Sequence, residues 1–438
     1  MRIFLVFIFL LLLNACQQTV SSSHKTTAPQ DGVSEELAFN HLLLKYFYLN
    51  ADKELKSASS YHEQSEATEP YASHPYGDVY YMYESLSDEF TNYFDPTFAD
   101  AILSQLLFSP EEASLGMEVN SSLIVALAYE NAPAYRAGIR EGDSITTING
   151  ETIEDYQAYE TALFSESTAG SRFRISVSRG GEPQTYQVTS AVFNLPTVYL
   201  TWVENIPVIR VTEFTETTSH TDGTAGEFSE ALEKTDDANS IVIDLRGNPG
   251  GSIDQCVDMA SQLIPQGKIL IQLVSYEANR NLTARITDTT VYRSKHSGTA
   301  NRYYVLLADE GSASCSEILM SALVENLETP IVGNLSYGKG VGQSYLMTEA
   351  GGVAGITSIA VFDKHGESYH RYGFVPDFKI NDPEAALEKA VELAAEGTYR
   401  RTAGYGTTER EFSKALPKSR ARILPKKGGA FKFIPKPE

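Results

Sequence analysis

SIVIDLRGNPGG, residues 240–251, is a short apolar run rich in β-branched side chains that breaks into Asn, Pro and two Gly. Such a run, bounded by turn residues, reads as a buried strand, and the apolar spacing from Ile253 to Ile264 after it reads as a helix. The pattern recurs twice. YYVLLADE (303–310) runs into GSASCSE and a helix over 317–326, and TPIVGN (329–334) runs into LSYGKGVGQ. Alternating strands and helices over residues 207–377 predict a largely parallel sheet with helical crossovers. If the three strands are parallel neighbours, right-handed crossovers carry the loops that follow them to one sheet edge. That edge gathers Gly251, Ser314 and Lys339.

A Ser hydroxyl is a poor nucleophile until a base takes its proton, and a Lys serves as that base only where a dry pocket lowers its pKa. Backbone N–H groups after NPGG and at the start of the helix after Ser314 are suited to an oxyanion. These are the parts of acyl transfer. Two plainer readings stand beside it: Ser314 with Glu317 has the Ser-x-x-Glu spacing of a capping box, and Lys339, between Gly338 and Gly340, is compatible with a solvated loop residue.

The chain has 438 residues, 42% hydrophobic and 21% charged, with 31 Gly and 18 Pro. This is a globular composition, neither collagen-like nor broadly disordered, and at roughly 150 residues per domain it holds about three domains. Cys16, Cys256 and Cys315 are too few and too scattered for a disulfide framework, and without CxxC or CxxH spacing no metal site is expected. Nothing calls for a cofactor. A net charge of -22 argues against nucleic acid as the partner. Residues 399–438 run the other way, with 11 Lys+Arg against 3 Asp+Glu; they read as a basic tail that either solubilises or meets an anionic surface.

Residues 1–16, MRIFLVFIFLLLLNAC, are too short for a membrane span of about 20 residues and read as a secretory signal. Leu13, Asn14, Ala15 and Cys16 resemble the end of a bacterial lipoprotein signal. That resemblance implies acylation of Cys16, a lipid anchor, and residues 17–34 as a flexible tether. Gln17, where an Asp is absent, implies the outer membrane facing the periplasm if the cell is Gram-negative. A plain signal peptide with an incidental Cys is the other reading. Residues 35–110 follow with helical spacing, interrupted by a polar loop expected over 57–74, and offer no chemistry; they read as a helical subdomain or lid.

Residues 111–195 change to short strands punctuated by Gly. NAPAYRAGI, GDSI and INGETI, in this order, resemble a PDZ domain. The resemblance implies that an extended peptide adds beside its sheet, with its terminal carboxylate held by the loop Leu115, Gly116 and Met117. Ser114 stands where Gly is usual. A domain acting only as a spacer is the competing reading.

DLRGNPGG, GSASCSE, SYGKGVGQ and GFVPD, in this order behind a PDZ-like domain, resemble the S41 serine peptidases of the C-terminal processing (tail-specific) type. The resemblance implies Ser314 as nucleophile, Lys339 as base, Gln343 as the residue orienting that base, and the N–H groups of Gly251 and Cys315 as the oxyanion hole. Cys315 replaces a common Ala there and is expected to be a buried structural thiol. His365 and His370 read as surface or loop residues, and GxSxG is absent.

The expected chain is therefore a multidomain α+β protein: residues 1–16 signal, 17–34 tether, 35–110 helical, 111–195 PDZ-like, 196–398 α/β peptidase with a largely parallel sheet, 399–438 tail. Its expected function is a serine endopeptidase of the cell envelope, acting on unfolded or C-terminally recognised polypeptides. The alternative is a membrane-tethered PDZ peptide-binding protein with an inactive peptidase domain. Neither oligomeric state nor an adaptor follows from the sequence.

Overall fold

Ile241, Val242 and Ile243 are all fully buried, as a strand covered on both faces requires. In the computed structural model, which describes residues 33–401 apart from 100–101, 103–112, 130–131, 165–168, 193 and 300, their strand lies inside a six-stranded sheet. The order is Val198–Val203, Ile206–Val211, Ser240–Asp244, Tyr303–Ala308, Ile331–Gly333 and Phe378–Lys379. Every neighbouring pair is parallel except the opening hairpin. Because side chains alternate across a strand, Ile241, Ile243, Leu306 and Ile331 join one core with Cys256, Val257 and Leu319 of the helices Ile253–Leu263 and Cys315–Leu327. Val242, Val305, Leu307 and Val332 face the other way, onto Ala390, Leu393 and Ala394 of the helix Pro383–Glu396. Asp382 caps that helix by accepting the N–H groups of Glu384 and Ala385, and Gly397 closes it at φ 63°.

A second sheet departs from the strand–helix alternation read for 207–377. Val341–Met347, Val353–Phe362, Ile269–Ala278, Arg285–Arg293 and Asn92–Phe94 form five antiparallel strands. The stretch Arg285–Arg293 is exposed along most of its length and polar, so it carries no apolar run to announce it.

The N-terminal helices do not stand apart from this sheet. Leu37, Leu44, Tyr48, Met82 and Tyr93 share one core with Ala354 and Ile356. The loop expected over 57–74 is corrected. It contains the helix Ala58–Glu66, opened by Ser57, whose Oγ accepts the Ser60 N–H, and it buries Tyr61. With Tyr61 its one large buried side chain, that helix shows no apolar periodicity.

In the Gly-punctuated region, Ser144–Ile148 enters a turn at Asn149 (φ 53°) and Gly150 (φ 93°), the left-handed pair that an Asn-Gly hairpin turn requires. Arg172–Arg179 pairs with Ser144–Ile148 on one side and Glu182–Thr189 on the other. No helix among the described residues is long and apolar enough to cross a membrane. Residues 1–32, with Cys16, and the tail from 402 lie outside the described residues.

Candidate active site

The strand Tyr303–Ala308 ends in a loop that delivers Ser314 to the start of the helix Cys315–Leu327. Ser314 sits at φ 55°, ψ -115°, a backbone conformation that costs a non-glycine residue of order 1–3 kcal/mol and persists only where the surroundings enforce it. The NPGG loop is that enforcement. Ala313 N–H and Ser316 Oγ both donate to Asn248 O, at 3.0 and 2.9 Å, while Asn248 Nδ2 donates to Val211 O at 3.0 Å. Gly250 must be Gly, since a Cβ there would stand 2.7 Å from Ser314 Cβ. Gly251, at φ 141°, is pressed against Phe214 O, which a Cβ would meet at 2.0 Å. The Cys315 thiol donates to Gly251 O at 3.2 Å, joining the two loops. The N–H groups of Gly251 and Cys315 themselves donate no hydrogen bond among the described residues.

Glu317 ties the helix Cys315–Leu327, with Ser314 at its head, to the lysine loop. It is fully buried, and its carboxylate accepts Ser336 Oγ at 2.5 Å, Gly338 N–H at 2.6 Å, Lys339 N–H at 2.7 Å and Ser314 N–H at 3.1 Å. Burial pushes its pKa up to about 7 against the opposing pull of these four donors. The sequence showed this residue only as half of a capping box; its second task depends on a loop 22 residues away.

Lys339 keeps some exposure, while burial of its ammonium end lowers its pKa below the ordinary 10.5. Its Nζ lies over the ring of Phe90, 4.8 Å from the centroid. No hydrogen bond joins Ser314 Oγ to Lys339 Nζ in this structure. Catalytic contacts often tighten only when substrate arrives.

The peptide-loop residues are also placed. Leu115 is buried and its carbonyl accepts Ala134 N–H at 2.8 Å; Gly116 turns at φ 65° and its carbonyl accepts Tyr129 N–H at 3.0 Å. Met117 opens the strand Met117–Val119, which pairs with Val125–Ala128 and with no other described strand. The Gly116 N–H is already engaged, donating to Ser114 Oγ at 3.0 Å.

Residues 205–380 match peptidase family S41, and residues 105–189 match the PDZ domain family. Residues 205–380 are thus a domain of peptidase family S41, a serine peptidase family, and residues 105–189 a PDZ domain. The chain is 26% identical over 329 residues to the carboxy-terminal processing protease CtpA of Bacillus subtilis, covering 74% of this chain and 67% of that one. It is 28% identical over 267 residues to a probable CtpA-like serine protease of Staphylococcus aureus, covering 60% of this chain and 51% of that one. The chain thus spans about half the length of the Staphylococcus relative. In fold it is similar to a Bacteroides fragilis protein assigned to the S41 proteases, with a TM-score of 0.54 and 16% identity, over 85% of this chain and 100% of the other.

Two further residues of the S41 domain are placed. Gln343 lies on the strand Val341–Met347 and donates to Thr357 Oγ1 at 3.2 Å, with no hydrogen bond to Lys339. His370 lies in a loop as expected but is half-buried there: its Nδ1 is enclosed without a hydrogen-bond partner, and its ring lies 6.5 Å from that of Phe90. Burial first, then the adjacent Arg371 charge, pushes its pKa down to about 4. His365 is exposed as expected and lies 3.1 Å from Glu325. Among the described residues no group of three His, Cys, Asp or Glu side chains is placed to hold a metal ion.

Proposed function

We propose that this chain is a serine endopeptidase of the C-terminal processing kind, with Ser314 as nucleophile and Lys339 as base. The observation that carries this reading is the shared carboxylate of Glu317, which fixes the backbone of both residues within one buried cluster. Neutral Lys339 takes the Ser314 Oγ proton as the oxygen attacks the scissile carbonyl. The Gly251 and Cys315 N–H groups receive the oxyanion. The protonated amine then gives its proton to the leaving nitrogen, freeing the new N-terminus. A water, deprotonated in turn by Lys339, releases the acyl group and regenerates Ser314. Gln343, fixed on Thr357, stands on the strand that follows the lysine loop and is assigned to orienting that loop.

The edge of Met117–Val119 that no described strand pairs, beside Leu115 and Gly116, supports capture of a polypeptide C-terminus by strand addition. The signal-like residues 1–16 and Cys16 support a lipid-anchored enzyme of the cell envelope. The test is cleavage of an unfolded polypeptide by purified protein. Ser314→Ala is expected to abolish turnover while costing about 1 kcal/mol of stability and leaving peptide binding intact. Full activity in a folded Ser314→Ala protein would refute the assignment and favour the peptide-binding alternative. Location is tested separately, by fractionating cells that express wild type and Cys16→Ser; release of the variant alone supports the anchor, and equal retention after a high-salt wash refutes it.

A further inference from the structure

We propose that Phe90, from the N-terminal segment, is a positioning residue for the catalytic base: its ring forms the wall that keeps water from the Lys339 amine. The proposal rests on the reading of Lys339 as base. Phe90 belongs to a loop that is fastened at both ends. Ser87 donates through N–H and Oγ to the Glu54 carboxylate, at 2.9 and 2.7 Å. Phe90 N–H and Thr91 Oγ1 both donate to Asp88, at 3.1 and 2.5 Å. Buried Thr91 then accepts the Thr357 N–H at 2.9 Å, and Thr357 is also the acceptor for Gln343. The ring therefore stands on a platform shared with the strand after the lysine loop. Its neighbours are Lys339 Nζ at 4.8 Å, Tyr337 at 6.4 Å and His370 at 6.5 Å. A segment without catalytic motifs thus supplies one wall of the base's pocket.

Two opposed effects act on the amine through this ring. The apolar cover disfavours the ammonium, since full burial shifts a Lys by up to 3–5 units. The ring face favours it, by roughly 1.5 units where the cation is desolvated as here. The cover is the larger effect. The charged and titratable groups around the amine are Asp88 and Glu89 from the same loop, Glu317 and Cys315 from the nucleophile helix, and His370, itself beside Arg371, from the far side. The first four favour the ammonium, so the dry wall has to prevail over them.

The experiment is the pH dependence of kcat/KM for cleavage of an unfolded polypeptide by the full chain. Phe90→Ala admits water and is expected to move the rising limb upward by about half a unit or more. Phe90→Leu keeps the cover and loses the ring face, so its limb is expected to stay or move downward. Opposite responses, or a normal Leu profile with an upward Ala profile, support the proposal. An Ala profile superimposable on wild type overturns it, and so does a Leu variant shifted upward as far as expected for Ala, which keeps the test decisive if the Ala variant does not fold. Lys339→Arg separates the two levels: if it is inactive while the Phe90 profiles are unmoved, only the role of Phe90 fails, whereas an active Lys339→Arg removes the base assignment and this proposal with it.

Discussion

Glu317 Oε2 accepts the amide N–H of Lys339 at 2.7 Å, across 22 residues of sequence. The same carboxylate holds the Ser314 N–H, so one side chain sets the spacing between the backbones of the proposed nucleophile and base. Glu317→Gln replaces one acceptor oxygen with a donor facing donors. Unsatisfied buried partners cost about 1–3 kcal/mol each, and the loosened lysine loop is expected to lower kcat at least about tenfold, because misplaced reacting groups are punished steeply. Denaturant unfolding and steady-state kinetics measure the two effects; wild-type kcat in the variant would refute this.

The same residue predicts a pH dependence of stability. Burial raises Glu317 from 4.5 to about 7, so between these values the folded state binds more protons than the unfolded one. Its contribution to unfolding free energy is fully present below about pH 4.5 and is lost as pH rises through about 7. The excess stability of wild type over Glu317→Gln is therefore expected to narrow across that window, by at most about 1.4 kcal/mol per pH unit. A difference that stays constant or widens would contradict the burial of this carboxyl.

Lys339, lowered below 10.5 chiefly by burial, predicts activity that rises with pH through an apparent pKa below that value. Lys339→Arg is expected to be nearly inactive, because a guanidinium does not release its proton in this range. The pH profile of kcat/KM decides the first point and single-turnover rates the second. An Arg variant at wild-type rate would eliminate the Ser/Lys pair.

Much of this site was legible from strand ends. The run Ile241–Ile243, and its counterparts before Ser314 and Lys339, are short, apolar and cut off by Gly or Pro, and parallel pairing alone carries their loops to one edge. What stayed hidden depends on partners distant in sequence. The spacing of Leu37 and Leu44 marks a helix without saying that Ala354 and Ile356 lie beneath it. Asn92–Phe94 is a strand of three residues, too short to show a period. Phe90 carries no motif, and its place over Lys339 comes from Thr91 meeting Thr357. His370, in a polar run, is enclosed because Gly340 lets the lysine loop approach its backbone, where a Cβ would stand 3.0 Å from His370 N.

Ser114 already occupies a donor that the PDZ loop would offer to a peptide carboxylate, since the Gly116 N–H donates to its Oγ. Ser114→Ala is expected to free that donor. A hydrogen bond to a charged group contributes about 1.5–3 kcal/mol, less what the Ser bond supplied, so a peptide with a free apolar C-terminus should bind about five- to tenfold more tightly. Calorimetry with free and amidated forms of one peptide separates the effect from general loosening. Equal gains for both forms, or none, would show that the carboxylate does not use this N–H.

The basic tail predicted from residue 399 does not begin there in structural terms. Tyr399 packs against Phe378 with ring centroids 5.0 Å apart, and its carbonyl accepts Tyr303 Oη at 2.8 Å. Arg401 reaches further in: its guanidinium donates to Asp377 at 2.6 Å and to Val375 O at 2.9 Å, and its N–H donates to Glu328 O at 3.0 Å. Both side chains of this ion pair are nearly fully buried. Removing one member leaves a buried charge without its counterion, which costs about 3–5 kcal/mol. Arg401→Ala, or a chain ending at residue 398, is therefore expected to lose stability on that scale, whereas a chain ending at 401 keeps the pair and should unfold close to wild type. Asp377 sits beside the edge strand Phe378–Lys379 and accepts the Ile331 N–H at 2.9 Å, at the start of the strand that leads to Lys339. Loss of Arg401 should accordingly lower activity along with stability. If the chain ending at 398 matched the one ending at 401 in both respects, the pair would have no structural weight.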